Sequence, residues 1–256
     1  MAALAGRVAL VTGGGRGIGR ATAVALAERG ADVAVMSRSV PELEETAALV
    51  RASGRRSLAV VGDVAHGAAV HKAVTVARDA LGPIDILVNN AAVLQPVGPT
   101  IEVDPEAWGR LLAVNLTGVF RCIHAVLPVM LERGWGRIVN VSAGAATGTG
   151  LPRASAYSVS KAGLDMLTRH LAAELAGTGV GVNSVWPGGV RTRMLAGYRG
   201  LRPTTTTLPS RPGSSPTWSS ARRPARWSTS TGSWATGCGE PDHASAMRPR
   251  RAAQPG

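Results

Sequence analysis

The chain has 256 residues, 45% hydrophobic, 17% charged and 4% aromatic, with 32 Gly, 16 Pro and 2 Cys. These proportions exclude a collagen, a disulfide scaffold and a fully disordered chain, and the length suits one large α/β domain or two small ones whose core needs no staples. The formal net charge of +12 is unevenly placed: residues 1–200 carry 20 Lys+Arg against 14 Asp+Glu, and residues 201–256 carry 8 Arg against Glu240 and Asp242.

From the N-terminus, short apolar or β-branched runs alternate with longer helical stretches, the rhythm of repeated βα units. A first strand at 7–12 leads into Thr12-Gly13-Gly14-Gly15-Arg16-Gly17-Ile18-Gly19 and directly into a helix at 17–29, on which Ala21, Val24, Ala25 and Leu26 repeat at helical spacing. Glycines placed there serve a tight turn, close backbone approach to a pyrophosphate and anion binding at a helix N-terminus. The strand–loop–helix context therefore predicts a dinucleotide phosphate site rather than a bare turn. Further strands are predicted at 32–37, 57–63, 84–89, 137–142 and 180–186, with helices at 41–52, 66–81, 105–132 and 155–177. The strands are nearly all apolar, as strands covered on both faces are. Six of them with five crossovers predict an α/β, doubly wound fold built on a parallel sheet.

Tyr157-Ser158-Val159-Ser160-Lys161 opens the 155–177 helix and puts a phenol and an ammonium four residues apart on one face. An ammonium close to a phenol favours the phenolate, so Tyr157 is expected to have a lowered pKa and to serve as a general acid/base. The same spacing also suits an exposed helical pair.

After Gly200 the pattern stops. Residues 201–256 hold 17 Ser or Thr, 8 of the 16 Pro and three of the six Trp, with no Val, Ile or Phe. Neither an amphipathic helix nor a strand can be laid on them, so a folded domain over 1–197 and a disordered basic tail over 198–256 are expected. A nucleic-acid arm in which Trp218, Trp227 and Trp234 stack on bases is the weaker alternative; no nucleic-acid partner is expected. Cys122 and Cys238 match no ligand spacing, and His66, His71, His124, His170 and His243 form no metal-spaced set, so no metal is expected and a reducing cytoplasm is the expected compartment. No uninterrupted apolar run reaches the roughly 18 residues of a membrane helix, and no cleavage-site pattern precedes the first glycines. No membrane partner is expected.

In order and separation, these motifs resemble the short-chain dehydrogenase/reductase family, in the form with a T-G-x-x-x-G-I-G loop, and the likeness runs from residue 6 to about 195. The resemblance implies a Rossmann fold and an oxidoreductase that interconverts a secondary alcohol and a ketone, similar to 3-oxoacyl thioester reductases. Gly13, Gly17, Ile18 and Gly19 would hold the cofactor phosphates, and Asp63 in Gly62-Asp63-Val64 the adenine. Asn90, in Asn89-Asn90-Ala91-Ala92, matches the family's N-N-A-G where the backbone passes the cofactor. Asn115 matches the asparagine that anchors a proton-relaying water, Tyr157 and Lys161 match the catalytic pair, and Pro187, Gly188 and Thr192 match the segment at the nicotinamide carboxamide. The helices at 105–132 and 155–177 correspond to those of the family's dimer seam, so a homodimer or homotetramer is expected, with a small-molecule carbonyl or alcohol as substrate.

NAD-preferring members carry an acid at the position here held by Ser37. Arg38 follows and Arg16 lies in the loop, so two guanidiniums are expected to meet a 2′-phosphate with no acid to repel it, which favours NADP(H) over NAD(H).

Three departures from the family stand out. Ala92 replaces a glycine, which is acceptable at negative φ. Where members read G-x-I-V-N-x-S-S, this chain reads Gly136-Arg137-Ile138-Val139-Asn140-Val141-Ser142-Ala143, so Ala143 holds the register of the catalytic serine and Ser142 is the nearest hydroxyl. Side chains alternate along a strand, so Ser142 reaches the substrate only if the strand end kinks. This leaves a second reading open, a catalytically weak dinucleotide-binding protein. Third, the covering segment and seventh strand of the family are missing or unrecognisable after residue 197. An abrupt switch to Arg, Pro, Ser, Thr and Trp is what out-of-frame reading of a GC-rich gene produces. On that account, translating the gene in the other two frames beyond codon 195 should yield a Val/Ile-rich strand with glycine turns; finding none in either frame makes the tail authentic.

Overall fold

The computed structural model describes residues 3–147, 150–188, 190 and 192–196. These lie in the first of the two units into which the chain divides, Met1–Pro216. The tail expected at 198–256 lies outside the described residues.

Six parallel strands, β1 (Val8–Thr12), β2 (Asp32–Ser37), β3 (Ser57–Val61), β4 (Ile86–Asn89), β5 (Gly136–Val141) and β6 (Val180–Val185), pair in the order β3-β2-β1-β4-β5-β6. The inner strands alternate two largely buried faces, whereas the edge strands β3 and β6 are only partly covered. Val8 and Leu10 of β1 join a core with Val70, Ala73, Cys122, Ile123, Val126, Met130 and Leu164, whereas Ala9 and Val11 join one with Ala23, Ala27, Leu43, Ala47 and Val50. The first core is covered by helices α3 (Gly67–Leu81), α5 (Gly118–Glu132) and α6 (Ser155–Glu174), the second by α1 (Gly17–Glu28) and α2 (Val40–Ala52). Each large aliphatic so buried contributes about 1.5–3 kcal/mol, which is why runs without polar alternation form strands here.

The expected elements form, with shifts at their ends that have local causes. Strand β4 starts at Ile86, and Asp85 before it ties the strand to both neighbours: its N–H donates to the Val8 carbonyl (2.9 Å), its carbonyl accepts from the Arg137 N–H (3.0 Å), and its carboxylate accepts from the Val8 N–H and from Arg7 (3.0 Å each). The helix expected over 105–132 is broken into α4 (Pro105–Leu112), a π-helical turn Ala113–Thr117, and α5. Asp104 caps α4 by accepting from the Glu106 and Ala107 N–H groups. Pro105–Glu132 as a whole is long and apolar enough to cross a membrane by length and composition, although no uninterrupted apolar run in the sequence suggested it. Its apolar residues Val119, Cys122, Ile123, Val126 and Met130 are spent on the core. A short helix α7 (Arg193–Ala196) follows β6.

The order places β1 beside β4, so the chain leaves the sheet in opposite directions from these two neighbours. A crevice opens there, beyond the carboxyl ends of the strands.

Candidate active site

The crevice is a cleft of about 720 Å³ lined by the glycine loop, the ends of β2, β4 and β5, α6 and the segment after β6. Its floor is set by the turn after β1. Gly13 and Gly17 have positive φ (+62° and +55°), and a Cβ on Gly13 would come within 2.8 Å of Asn90 Nδ2. A Cβ on Gly19, which lies behind the lining, would strike the Gly13 carbonyl. Thr12 Oγ1 accepts from the Asn90 and Ala91 N–H groups at 3.1 Å, and Asn90 Nδ2 donates to the Thr12 and Gly13 carbonyls at 3.0 and 3.1 Å. From the other side, the Gly15 carbonyl accepts from Arg20 (2.6 and 3.1 Å) and Thr46 Oγ1 (3.2 Å). Ala92 lines the cleft and is not among the positive-φ residues, so its methyl is accommodated.

This loop fits a dinucleotide. Helix α1 begins with no side-chain cap at Arg16 and no acid in its first turn, and Gly17 and Ile18 face the cleft. The orphan N–H groups and positive end of the helix dipole suit a pyrophosphate, and a side chain on the glycines would fill the space it needs.

Ser37, Arg38, Asp63 and Val64 lie together at the ends of β2 and β3. Arg38 is 71% exposed and only 3.7 Å from Asp63. Arg16 is less free than expected. Glu42 on α2 accepts from Arg16 Nη1 at 3.0 Å and from Arg193 Nη2 at 3.1 Å. The expectation that no acid opposes a 2′-phosphate is therefore corrected: Glu42 lines this end of the cleft. Sequence reading missed Glu42 and Arg193 because they lie 151 residues apart; the one available signal was an acid in the first turn of a helix that follows β2.

Pro187, Gly188 and Thr192 also line the cleft, with Val190 and Met194, and Thr192 lies next to the glycine loop, 3.6 Å from where a Cβ on Gly17 would stand. Asn115 does not line the cleft. It is fully buried in the π-helical turn, where Nδ2 donates to the Val93 carbonyl (2.8 Å) and to Ser160 Oγ (3.2 Å) while Oδ1 accepts from the Val93 N–H (2.8 Å). A π turn of this kind is a frequent mark of functional sites; here it braces the loop after β4 against α6.

Tyr157 and Lys161 project from the first turns of α6 into the cleft. Lys161 is 3% exposed, donates from Nζ to the Val141 carbonyl at 2.7 Å, and sits 5.8 Å from the centre of the Tyr157 ring. The expected lowering of the Tyr157 pKa is not what the structure gives. Burial pushes the phenol up from 10.0 to about 12 and pulls Lys161 down from 10.5 to about 8, Asp165 opposing the latter. Desolvation outweighs the attraction of an ammonium held by a backbone carbonyl.

The two shifts act on stability with opposite signs. Between pH 8 and 10.5 the folded chain binds fewer protons at Lys161 than the unfolded chain, so stability rises over that window, by at most about 3 kcal/mol. Between pH 10 and 12 the folded chain holds more protons at Tyr157, and stability falls. The Cys122 thiol, pushed by burial from 9.0 to about 12, likewise keeps its proton longer in the folded chain and offsets the Lys161 gain above pH 9. Thermal unfolding should therefore give a Tm that climbs from pH 8 to 9 and declines above 10, with the climb removed by Lys161→Met. A Tm that is flat or falling from pH 8 to 9 would contradict the desolvation of Lys161.

Strand β5 resolves the serine register. Asn140 donates to Thr168 Oγ1 of α6 and accepts from Asn89 Nδ2, both at 2.9 Å. Ser142, two residues on, is 3% exposed, and its Oγ is sealed from solvent without a hydrogen-bond partner. Its N–H still pairs with the Val185 carbonyl at 2.9 Å, Ala143 is fully extended (φ −154°, ψ 157°), and both residues line the cleft. The strand end does not kink.

A doubly wound sheet with a glycine loop, a carboxyl-end cleft and a buried Tyr–Lys pair defines a dinucleotide-dependent oxidoreductase. The family model for short chain dehydrogenase matches residues 7–200, and the chain belongs to that family. It is 40% identical over 195 residues to a 3-oxoacyl-[acyl-carrier-protein] reductase of Synechocystis, covering 76% of this chain and 78% of the relative. Among solved structures it is similar to a short-chain alcohol dehydrogenase of Sinorhizobium meliloti described as putative (44% identity, 77% of each chain, TM-score 0.73). It is also similar to a single-residue variant of the actinorhodin polyketide ketoreductase with NADPH (40% identity, 74% of this chain and 73% of that one, TM-score 0.71). The protein is an NAD(P)-dependent oxidoreductase acting on alcohol and carbonyl groups.

Proposed function

We propose that the chain is a cytoplasmic, homo-oligomeric ketoreductase that favours NADP(H) and takes a small-molecule ketone, with 3-oxoacyl thioesters as the first substrates to test. The observation that carries this reading is that Tyr157 and Lys161 line the same cleft as Gly17 and Ile18 of the uncapped α1 terminus. The dinucleotide supplies the hydride when bound. Tyr157 holds the proton that the carbonyl oxygen receives, Lys161 orients the ribose and steadies the phenol, and Asn115 braces the wall through which protons are resupplied. Gly13, Gly17 and Ile18 cradle the phosphates with Asn90 and Gly19 holding the loop in shape, Asp63 and Val64 contact the adenine, and Pro187, Gly188 and Thr192 take the carboxamide. Ser142 is the nearest hydroxyl in sequence and lines the cleft beside Ala143, but its sealed Oγ supports Ala143 as the residue at the carbonyl. That substitution favours a second reading, a dinucleotide-binding protein of weak turnover.

Ser37, Arg38 and Arg16 support the cofactor preference. NADPH should bind at least about tenfold tighter than NADH, a difference of about 1.4 kcal/mol, and Arg38→Asp should reverse the order. Fluorescence titration of both cofactors checks this; equal affinities in the unmodified protein overturn it. NADPH binding followed by ketone-dependent loss of absorbance separates the two readings, since binding without turnover selects the second.

A further inference from the structure

The adenosine end of the cleft contains a charge arrangement that the phosphate-site reading does not use. Glu42, whose side chain is 26% exposed, accepts from two guanidiniums that come from separate elements, Arg16 of the glycine loop and Arg193 of α7. Its position is set by packing: a Cβ on Gly15 would lie 3.0 Å from Glu42 Cβ and 3.1 Å from Ser37 Oγ. Glu42, Ser37 and the loop thus meet at one point. Among the described residues that line the cleft here, the cations are Arg16, Arg38 and Arg193, and the acids are Glu42 and Asp63.

We infer that Glu42 is a specificity-determining residue that competes with a cofactor 2′-phosphate for Arg16, with Arg193 tempering that competition by sharing the carboxylate. The inference rests on the reading that Arg16 and Arg38 meet the 2′-phosphate. A half-exposed ion pair is weak, and a guanidinium gains more from a dianionic phosphate than from a carboxylate. Arg16 therefore exchanges partners when the phosphate arrives, and Glu42 is left with Arg193 alone. The exchange has a cost, because Glu42 stays close to the incoming charge. The preference for the phosphorylated cofactor is in consequence smaller than Arg16 and Arg38 would give by themselves. It also ties α7, which carries Met194 at the cleft wall, to the state of the phosphate subsite.

The test uses the full chain and isolates the phosphate by calorimetry with adenosine 2′,5′-bisphosphate against 5′-AMP, alongside NADPH and NADH titrations. Glu42→Gln should raise the NADPH/NADH affinity ratio, and the bisphosphate/AMP ratio with it, by about three- to fivefold at low salt, with the gain shrinking as salt is added. Glu44→Gln, which removes a neighbouring exposed pair with Arg51, should leave both ratios unchanged. Arg193→Gln should lower both ratios in the unmodified chain and do nothing in the Glu42→Gln background, because its effect passes through the carboxylate. Ratios unmoved by Glu42→Gln, an equal gain in Glu44→Gln, or an Arg193 effect that persists without Glu42 would each overturn the inference. If Glu42→Gln fails to fold, Arg193→Gln alone decides: no change in either ratio rejects the sharing of the carboxylate. Failure of the cofactor reading looks different, since then the unmodified chain shows no preference for NADPH, whatever the variants do.

Discussion

Tyr157→Phe is expected to lower turnover by about 10²–10⁴, the range over which a positioned proton donor acts, while NADPH affinity stays nearly unchanged. The phenol lines the cleft at the start of α6, and removing its oxygen leaves a ring of nearly the same shape. Burial holds the hydroxyl up at about 12, so at neutral pH it is a neutral donor ready to protonate a developing alkoxide. The reverse reaction needs the phenolate, whose fraction rises tenfold per pH unit below the pKa. Ketone reduction should therefore be nearly flat between pH 6 and 8, and alcohol oxidation should rise steadily with pH through the same range. Stopped-flow absorbance in both directions reads this. If Tyr157→Phe retains turnover, or oxidation does not depend on pH, the proton comes from elsewhere.

Ala143→Ser should raise turnover by about 10²–10³, the usual worth of one oriented donor at a developing oxyanion, with little change in NADPH affinity because the hydroxyl meets the substrate and not the cofactor. Residue 143 is extended at the end of β5 and lines the cleft, so a serine there places its Oγ where the methyl now stands. Ser142→Ala should barely alter turnover, since the native Oγ touches neither solvent nor partner. It should stabilise the fold slightly, because an unpaired buried hydroxyl is costly. If Ser142→Ala abolishes turnover and Ala143→Ser does nothing, the register at this strand end is off by one.

Most of the scaffold and the outline of the site were legible in the residues themselves. Strands buried on both faces must be apolar throughout, which is why 7–12, 32–37 and the others stood out and formed close to their expected bounds. The glycine loop and the Tyr157–Lys161 pair are equally local, because a tight turn at a helix start and a four-residue helical spacing are properties of the backbone. Parity along β5 likewise set Ser142 apart from Ala143 before any tertiary contact was known.

Two things were decided only by the folded chain. Partnership between charges is one: Arg16 looked free in the sequence, yet Glu42 from α2 pairs with it across 26 residues and with Arg193 from α7 across 151. No spacing rule encodes a contact between separate elements. Solvation is the other. The ammonium four residues from Tyr157 was expected to lower its pKa, but the depth of the cleft raised it and lowered that of Lys161 instead. Sequence spacing determines which groups can be neighbours along one helix, whereas the water they lose depends on every element packed around them, and for a buried phenol and ammonium that loss is the larger effect.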